Sequence, residues 1–156
     1  ECPVLVRRAL DLIDRTGIVE AFPAVIERLA GADPNVRRRA GEVLSKWTGE
    51  AFAQGGKSSP EDLARPWREW WALHGASLVT SRRATRIIED LDHAREPAAR
   101  DASGVALVRL GPAAVPHILA AMDRGDFSIH LIRALETITG KSAGVRAADW
   151  RAALKN

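Results

Sequence analysis

The segment Asp33–Gly49 carries every signal of a complete α-helix, and it constrains the fold of this chain more than any other stretch. Asp33 is suited to accept hydrogen bonds from the first free amide groups, and Pro34 suits the first helical position. Gly49 is suited to the left-handed conformation that ends a helix. Between them, one apolar face recurs with the helical period of 3.6 residues. Its members are Val36, Ala40, Val43, Leu44 and Trp47.

Similar periodic segments fill the rest of the chain, and no segment shows the alternation of a β-strand. We therefore predict an all-α chain. Pro66 is expected to break or restart the helix that contains it, and Asp126 is expected to cap the helix that follows it. The predicted helices cover about 3–16, 19–30, 34–48, 61–74, 78–93, 97–110, 112–124, 127–139 and 146–155.

The composition is that of an ordinary globular domain, with 46% hydrophobic and 28% charged residues. The 156 residues predict a single domain, 1–156, large enough to bury a core. Basic residues exceed acidic residues by only three, 23 against 20, so the net charge does not indicate a nucleic-acid-binding protein. The single cysteine, Cys2, excludes an internal disulfide and a multi-cysteine zinc site.

The ends of the chain and its apolar runs bear on where it works. No apolar run approaches the roughly 20 residues of a membrane helix, so we predict no membrane insertion. The chain has no signal-peptide pattern, and its only methionine is Met122. We expect a fragment of a longer chain. A cytoplasmic location is slightly favoured, and export stays open because we expect the native start to be missing.

Three helix ends share the pattern Leu-x-x-x-Thr-Gly, which indicates an internal repeat. The pattern ends at Gly17, Gly49 and Gly140, and Gly111 ends a fourth helix without the threonine. Two of these ends lead through a loop to a tryptophan-bearing helix, at Trp67 and at Trp150. Helix pairs repeating every 20–50 residues are typical of a solenoid, in which each repeat stacks on its neighbours.

The repeat resembles a known family. Asp33-Pro34-Asn35-Val36-Arg37, followed by Ala40 and Leu44, is similar to the second helix of a HEAT-like repeat. Gly111-Pro112-Ala113-Ala114-Val115-Pro116 resembles the turn into the first helix of such a repeat. The Thr-Gly, loop, Trp-x-x-Trp-Trp segment is similar to tails of bacterial HEAT-repeat proteins. The resemblance implies a short right-handed α-solenoid of antiparallel helix pairs, an architecture of the HEAT-like or armadillo type.

The tryptophans and arginines are the most conspicuous candidate binding residues. Trp67, Trp70 and Trp71 share one helical face, which indicates core packing rather than a ligand cage. In the HEAT family the second helices line the concave face, which implies that the first arginine cluster could point into a groove. Nearby acidic residues favour a salt-bridged surface instead. The candidate partner-binding residues are Arg37, Arg38, Arg39, Arg82, Arg83 and Arg86.

No arrangement of residues predicts an enzyme, a metal site or a cofactor site. His74, His93, His117 and His130 do not pair at helical spacing, as a metal site on one helix requires. Residues 50–59 lose the periodicity and predict a loop. Within it, Gly55-Gly56-Lys57-Ser58 resembles a phosphate loop only superficially, because the preceding strand and the full spacing are missing.

These observations leave three functional hypotheses. The first is a non-enzymatic scaffold that binds a protein partner or another domain of its own parent chain. The second is nucleic-acid binding, because the chain also resembles HEAT-like alkylpurine DNA glycosylases, although it lacks their basic surface and an evident Trp/Asp arrangement. The third is a role like that of the phycobilin lyases, which use similar repeats; it depends on the fold alone.

Overall fold

The computed structural model describes residues 2–52 and 59–155, and within these ranges it contains helices and turns but no β-strand. The predicted all-α class is confirmed. Short 3₁₀ turns cover Val19–Ala21 and Gly111–Ala114. The segment Gly55-Gly56-Lys57-Ser58 lies outside the described residues. The α-helices are α1 (Pro3–Thr16), α2 (Phe22–Leu29), α3 (Pro34–Thr48), α4 (Pro60–His93), α5 (Pro97–Leu110), α6 (Val115–Asp123), α7 (Ile129–Thr139) and α8 (Ala147–Lys155).

The chain divides into two compact units, Glu1–Ala76 (unit 1) and Ser77–Asn156 (unit 2). In unit 1, α3 packs against both α1 and α2. The helix predicted over 34–48 is confirmed in detail, since Asp33 Oδ1 accepts hydrogen bonds from the amides of Asn35 (2.8 Å) and Val36 (3.0 Å). The single domain predicted over 1–156 stays a prediction.

Aromatic rings fill much of the interior of unit 1. Phe22, the first residue of α2, is fully buried and contacts four tryptophan rings. It stacks on Trp71 at a centroid distance of 4.7 Å and on Trp70 at 5.5 Å. Trp47 and Trp67 meet it at tilted and edge-on angles. The predicted core role of Trp67 is confirmed, while Trp70 and Trp71 are half-buried at the margin of the same cluster.

Unit 2 has a largely aliphatic core. In this unit α5 packs against α7, and α6 packs against both α7 and α8. Trp150 on α8 is fully buried, and its Nε1 donates to the carbonyl oxygen of Gly144 at 2.8 Å. The aliphatic members of the core come from the end of α4 and from α5, α6 and α7, and they include Ile88, Leu91, Leu107, Ile118, Leu119, Met122, Leu131 and Leu135.

The Leu-x-x-x-Thr-Gly pattern has one structural cause at all three helix ends. The threonine hydroxyl donates to the leucine carbonyl oxygen four residues earlier, at 2.8 Å for Thr16, 3.0 Å for Thr48 and 2.7 Å for Thr139. The glycine that follows adopts a positive φ, 76° at Gly49 and 65° at Gly140, and closes the helix. The sequence repeat is therefore a repeated helix-ending motif.

The main correction concerns α4. The sequence predicts two helices, 61–74 and 78–93, whereas the structure has one helix, Pro60–His93, with Pro66 inside it. A reciprocal cap begins the helix: Ser59 Oγ accepts a hydrogen bond from the Asp62 amide, and Asp62 Oδ2 accepts one from the Ser59 amide. Gly75 is not a stop: a Cβ there would lie 2.6 Å from the Trp71 ring, so the missing side chain makes room for that ring.

Three smaller boundaries also differ from the predictions. The segments 19–30 and 112–124 each begin as a 3₁₀ turn before the α-helix starts. The helix predicted over 127–139 begins at Ile129, and its cap is Ser128, whose Oγ accepts from the His130 amide at 3.3 Å. Asp126 does not cap this helix; its Oδ1 accepts from the Ser128 amide at 3.1 Å and holds the turn that precedes it.

Within the segment Pro97–Asp123, an 18-residue window has a mean hydropathy of 1.6, and by length and composition the segment resembles a helix that could cross a membrane. The backbone turns at Gly111 (φ 65°, ψ −149°), so α5 and α6 are separate helices of 14 and nine residues. Leu107, Ile118 and Leu119 of this segment are buried in the unit 2 core, which accounts for the hydropathy. The absence of membrane insertion stays a prediction.

Candidate functional site

The first arginine cluster is used for contacts within unit 1. The Arg37 guanidinium donates to the carbonyl oxygens of Gly31 (2.8 Å) and Ala32 (2.7 Å), which lie in the connection between α2 and α3. Arg38 lies 3.4 Å from Glu42 on the same helix. The salt-bridged surface favoured by the sequence is therefore present at Arg38, while Arg37 holds the turn that precedes its own helix.

Arg39 joins α3 to α1. Its guanidinium donates to Asp11 at 2.7 Å and to Asp14 at 3.0 Å, and Lys46 adds a second cation 2.9 Å from Asp14. The hydrogen bond from Lys46, together with Arg39, holds the pKa of Asp14 below its usual value of 3.8. The hydrogen bonds that Arg39 donates to Asp11 and Asp14 raise the pKa of Arg39. A residue held this way is poorly placed to bind a partner.

The second arginine cluster lies on α4 within unit 2, whereas the first lies in unit 1. Arg82 and Arg86 are exposed and have no ion-pair partner among residues 2–52 and 59–155, whereas Arg83 makes an interaction within the structure. Partner binding by the six predicted arginines stays a prediction, and Arg82 and Arg86 keep the freest side chains of the set.

An open groove of about 390 Å³ lies on the surface where α5 packs against α7. The groove exists because small residues face each other there: a Cβ on Gly104 would lie 3.6 Å from the Cβ of His130, and Ala134 follows one turn along α7. We call the apolar lining residues the floor of the groove and the polar ones its rim; Val105 of the floor is itself 52% exposed. The lining residues are Asp101, Gly104, Val105, Val108, His130, Arg133, Ala134 and Thr137.

The rim of the groove carries charges of both signs. His130 Nδ1 lies 3.4 Å from Asp101 Oδ1, so this pair neutralises itself when the imidazole is protonated. Arg133, on the same face of α7, is exposed and has no carboxylate partner in the described part of the chain. The groove therefore presents an aliphatic floor with one uncompensated guanidinium at its edge.

The described residues of the groove suit binding better than catalysis. The only hydroxyl in the lining, on Thr137, donates to the carbonyl oxygen of Arg133 at 2.8 Å. It lies two helical turns from His130, about 10 Å along α7 at 1.5 Å per residue, so the histidine cannot activate it. No group of three or more His, Cys, Asp or Glu side chains arranged to hold a metal ion occurs among the described residues.

No known protein family, curated protein or solved structure matches this chain. The HEAT-like resemblance therefore stays a prediction, and the groove has to be judged on its own geometry. The sequence did not point to the groove, because Gly104, Val105 and Arg133 belong to helices whose patterns look ordinary. The available signal was a glycine in the middle of α5 with a valine beside it, at a place where a helix normally carries a stronger helix-former.

Proposed function

We propose that this chain is a HEAT-like α-solenoid module that binds a protein partner, with the α5–α7 groove as its binding surface. The observation that carries the proposal is the groove itself, because it joins an aliphatic floor at Val105 and Val108 to the free guanidinium of Arg133. Protein-binding sites combine an apolar centre with a polar rim in this way.

The order of helices supports the repeat architecture. Each unit contains a helix ended by glycine, a 3₁₀ turn, a short helix with proline at its second position, and a capped helix ended by Thr-Gly. The two prolines are Pro23 and Pro116. Helix pairs of this kind stack into solenoids whose inner helices present extended binding surfaces.

The size of the groove suits a short extended peptide. From His130 to Thr137 the α7 backbone rises about 10 Å, a distance spanned by about three extended residues. An aliphatic side chain over Val105 and Val108, followed by a carboxylate at Arg133, would satisfy both features of the groove. We therefore expect ligands with an aliphatic residue close to an acidic residue.

Selection of peptides from a random seven-residue phage library on the immobilised chain tests this proposal. We expect an enriched pattern of an aliphatic and an acidic residue, and we expect Gly104→Leu to abolish binding by filling the groove. Gly104→Ala is the matched control, because its Cβ meets His130 only at ordinary contact distance. Arg133→Glu should weaken binding about tenfold, whereas Arg109→Glu, with the same charge change outside the groove lining, should not.

Two results would contradict the proposal. Absence of any enriched peptide would remove the protein-binding function. Tight, salt-dependent binding of a labelled DNA duplex, weakened by Arg82→Glu, would favour the nucleic-acid alternative instead.

A further inference from the structure

Helix α1 exposes large aliphatic side chains along one face. Val4, Leu5 and Leu12 are 60%, 64% and 56% exposed, and Leu10 is the only residue of the helix that is fully buried. Val6, Ala9, Leu10 and Ile13 recur with the helical period, but Ala9 lies exposed beside Leu5. The helix therefore carries apolar side chains on two sides, one of which is buried while the other faces solvent.

The repeat shows what normally covers this face. When the Thr-Gly ends of α1 and α3 are matched, Val4 corresponds to Val36 and Leu12 to Leu44. Both residues of α3 are buried in unit 1, where α2 packs against α3. The exposed face of α1 therefore shares the positions of Val36 and Leu44 with the face of α3 that α2 covers.

The covering helix of α1 must differ from α2 in charge. Arg8 stands where α3 has Ala40, and Arg15 stands where α3 has Trp47. Arg7 and Arg8 lie beside Val4 and have no ion-pair partner in the described ranges. Asp11, the nearest carboxylate, is already bonded to Arg39 at 2.7 Å. Uncompensated positive charge therefore lies among the apolar side chains of this face, because Arg8 stands between Val4 and Leu12 at four-residue spacing.

We propose that the exposed face of α1, formed by Val4, Leu5, Ala9 and Leu12 with Arg7 beside Val4 and Arg8 between Val4 and Leu12, binds an amphipathic helix of a partner protein. The helix carries aliphatic residues at i, i+3, i+4 and i+7, which meet the leucines, and carboxylates on the flank that meets the arginines. A second copy of this chain fits less well, because it would bring Arg7 and Arg8 against the same residues of its partner. This surface is separate in sequence from the α5–α7 groove.

Two fluorescein-labelled 16-residue helical peptides test the proposal by anisotropy on the full chain. Both carry the same leucine stripe, and one has glutamate and the other lysine at the flanking positions. We expect the glutamate peptide to bind at least about tenfold more tightly than the lysine peptide, with the difference shrinking as salt is raised. Leu12→Gln should weaken binding about tenfold.

Leu73→Gln is the matched control, because Leu73 is 80% exposed on another helix of unit 1 and should not affect the affinity. Absence of binding at millimolar peptide would overturn the proposal, as would equal binding to wild type and Leu12→Gln. Equal affinity for the two peptides would contradict the proposed preference for carboxylates near Arg7 and Arg8. Dimerisation that Leu12→Gln abolishes, measured by sedimentation, would show that a second copy occupies the face. Gly104→Leu should leave all these values unchanged, so this test is independent of the groove.

Discussion

Units 1 and 2 contain the same order of helices and turns but fill their interiors differently. In unit 1, Phe22 opens α2 and meets four tryptophan rings, whereas the corresponding residue of unit 2, Val115, packs among aliphatic side chains. Both units then close with a tryptophan-bearing helix. In unit 2 that role falls to Trp150 alone.

The comparison shows that the helix order and the core composition are set by different residues. Caps, 3₁₀ turns and the Thr-Gly ends fix where each helix starts and stops, and they recur in both units. The core then needs only apolar volume of the right total size. In a cluster of several rings, removal of one ring leaves the contacts among the others. A single buried tryptophan has no such neighbours, so truncation of a tryptophan to alanine should affect the stability of the two units differently.

The largest predicted effect is therefore at Trp150. Trp150→Ala should lower the free energy of unfolding by about 3–5 kcal/mol, because the side chain is fully buried and its removal leaves a cavity. Trp70→Ala should lower it by about half as much or less, because Trp70 is half-buried and Phe22 keeps its other ring contacts. Urea unfolding followed by circular dichroism measures both values.

Trp150→Phe removes the hydrogen bond but only part of the ring volume. It keeps an aromatic ring and leaves the Gly144 carbonyl oxygen without its donor, so a loss of about 1–2 kcal/mol, smaller than that of Trp150→Ala, is expected. If Trp70→Ala proved as damaging as Trp150→Ala, the aromatic cluster of unit 1 would be no more tolerant than the core of unit 2.

Two helical glycines should respond to alanine with opposite signs. In unit 1, Gly75→Ala should destabilise the chain by about 1–3 kcal/mol, since the new Cβ would overlap the Trp71 ring. In unit 2, Gly104→Ala should stabilise it by up to about 1 kcal/mol, since the Cβ has room and alanine favours the helix. Melting temperatures of the two variants test this, and a gain for both would show that Trp71 moves aside easily.

Carboxylates in the two units should respond to pH in opposite directions. The pKa of Asp14 in unit 1 is lowered by Lys46 and Arg39. The free energy of unfolding that Asp14 contributes is therefore present above the usual pKa of 3.8 and is lost as the pH falls through the lowered value. Asp14→Asn should therefore cost about 1 kcal/mol near neutral pH and little in acid.

In unit 2, partial burial and then the neighbouring Asp126 carboxyl raise the pKa of Asp92, against the weaker opposing effects of His93 and Arg124. The free energy of unfolding that Asp92 contributes is present below its usual pKa of 3.8 and is lost as the pH rises through the raised pKa. Asp92→Asn should thus gain a few tenths of a kcal/mol at neutral pH, since Asp92 is largely exposed and Asp126 Oδ2 is buried without a donor among the described residues. Unfolding curves at neutral and acid pH measure the change in stability of each variant. If both variants lost, or both gained, stability at neutral pH, the two carboxylates would not respond in opposite directions.

The sequence predicted the helices well where the signals are local. The cap at Asp33 and the glycine at Gly49 act on neighbouring amides, so their roles follow from the residues themselves. The predicted break between 61–74 and 78–93 was wrong, because the role of Gly75 there depends on the Trp71 ring, which packs over it in the folded helix. Sequence alone does not distinguish a glycine that ends a helix from one that makes room within it.

The candidate site was less predictable for the same reason. Arg39 was a candidate partner-binding residue, but its partners Asp11 and Asp14 lie on another helix and are brought to it only when α1 packs on α3. The groove beside Arg133 likewise depends on two helices meeting at Gly104 and Ala134. Local pattern identified the elements, whereas the surfaces arise from contacts between them.

The last predictions concern the threonines of the helix-ending motif. Thr48 in unit 1 and Thr139 in unit 2 each donate to a leucine carbonyl and accept from an amide two residues later, Glu50 at 3.0 Å and Lys141 at 3.3 Å. Thr48→Val and Thr139→Val should therefore each lower the free energy of unfolding by about 0.5–1 kcal/mol.

Thr16 is the internal control for this pair, because it is exposed and its hydroxyl only donates, to carbonyl oxygens of its own helix. Thr16→Val should change stability by less than about 0.5 kcal/mol, since water can replace the lost bond. Urea unfolding of the three variants measures the differences. Equal losses at all three positions would mean that the motif acts through helix ending alone, and a loss confined to one unit would show that the two units do not use it in the same way.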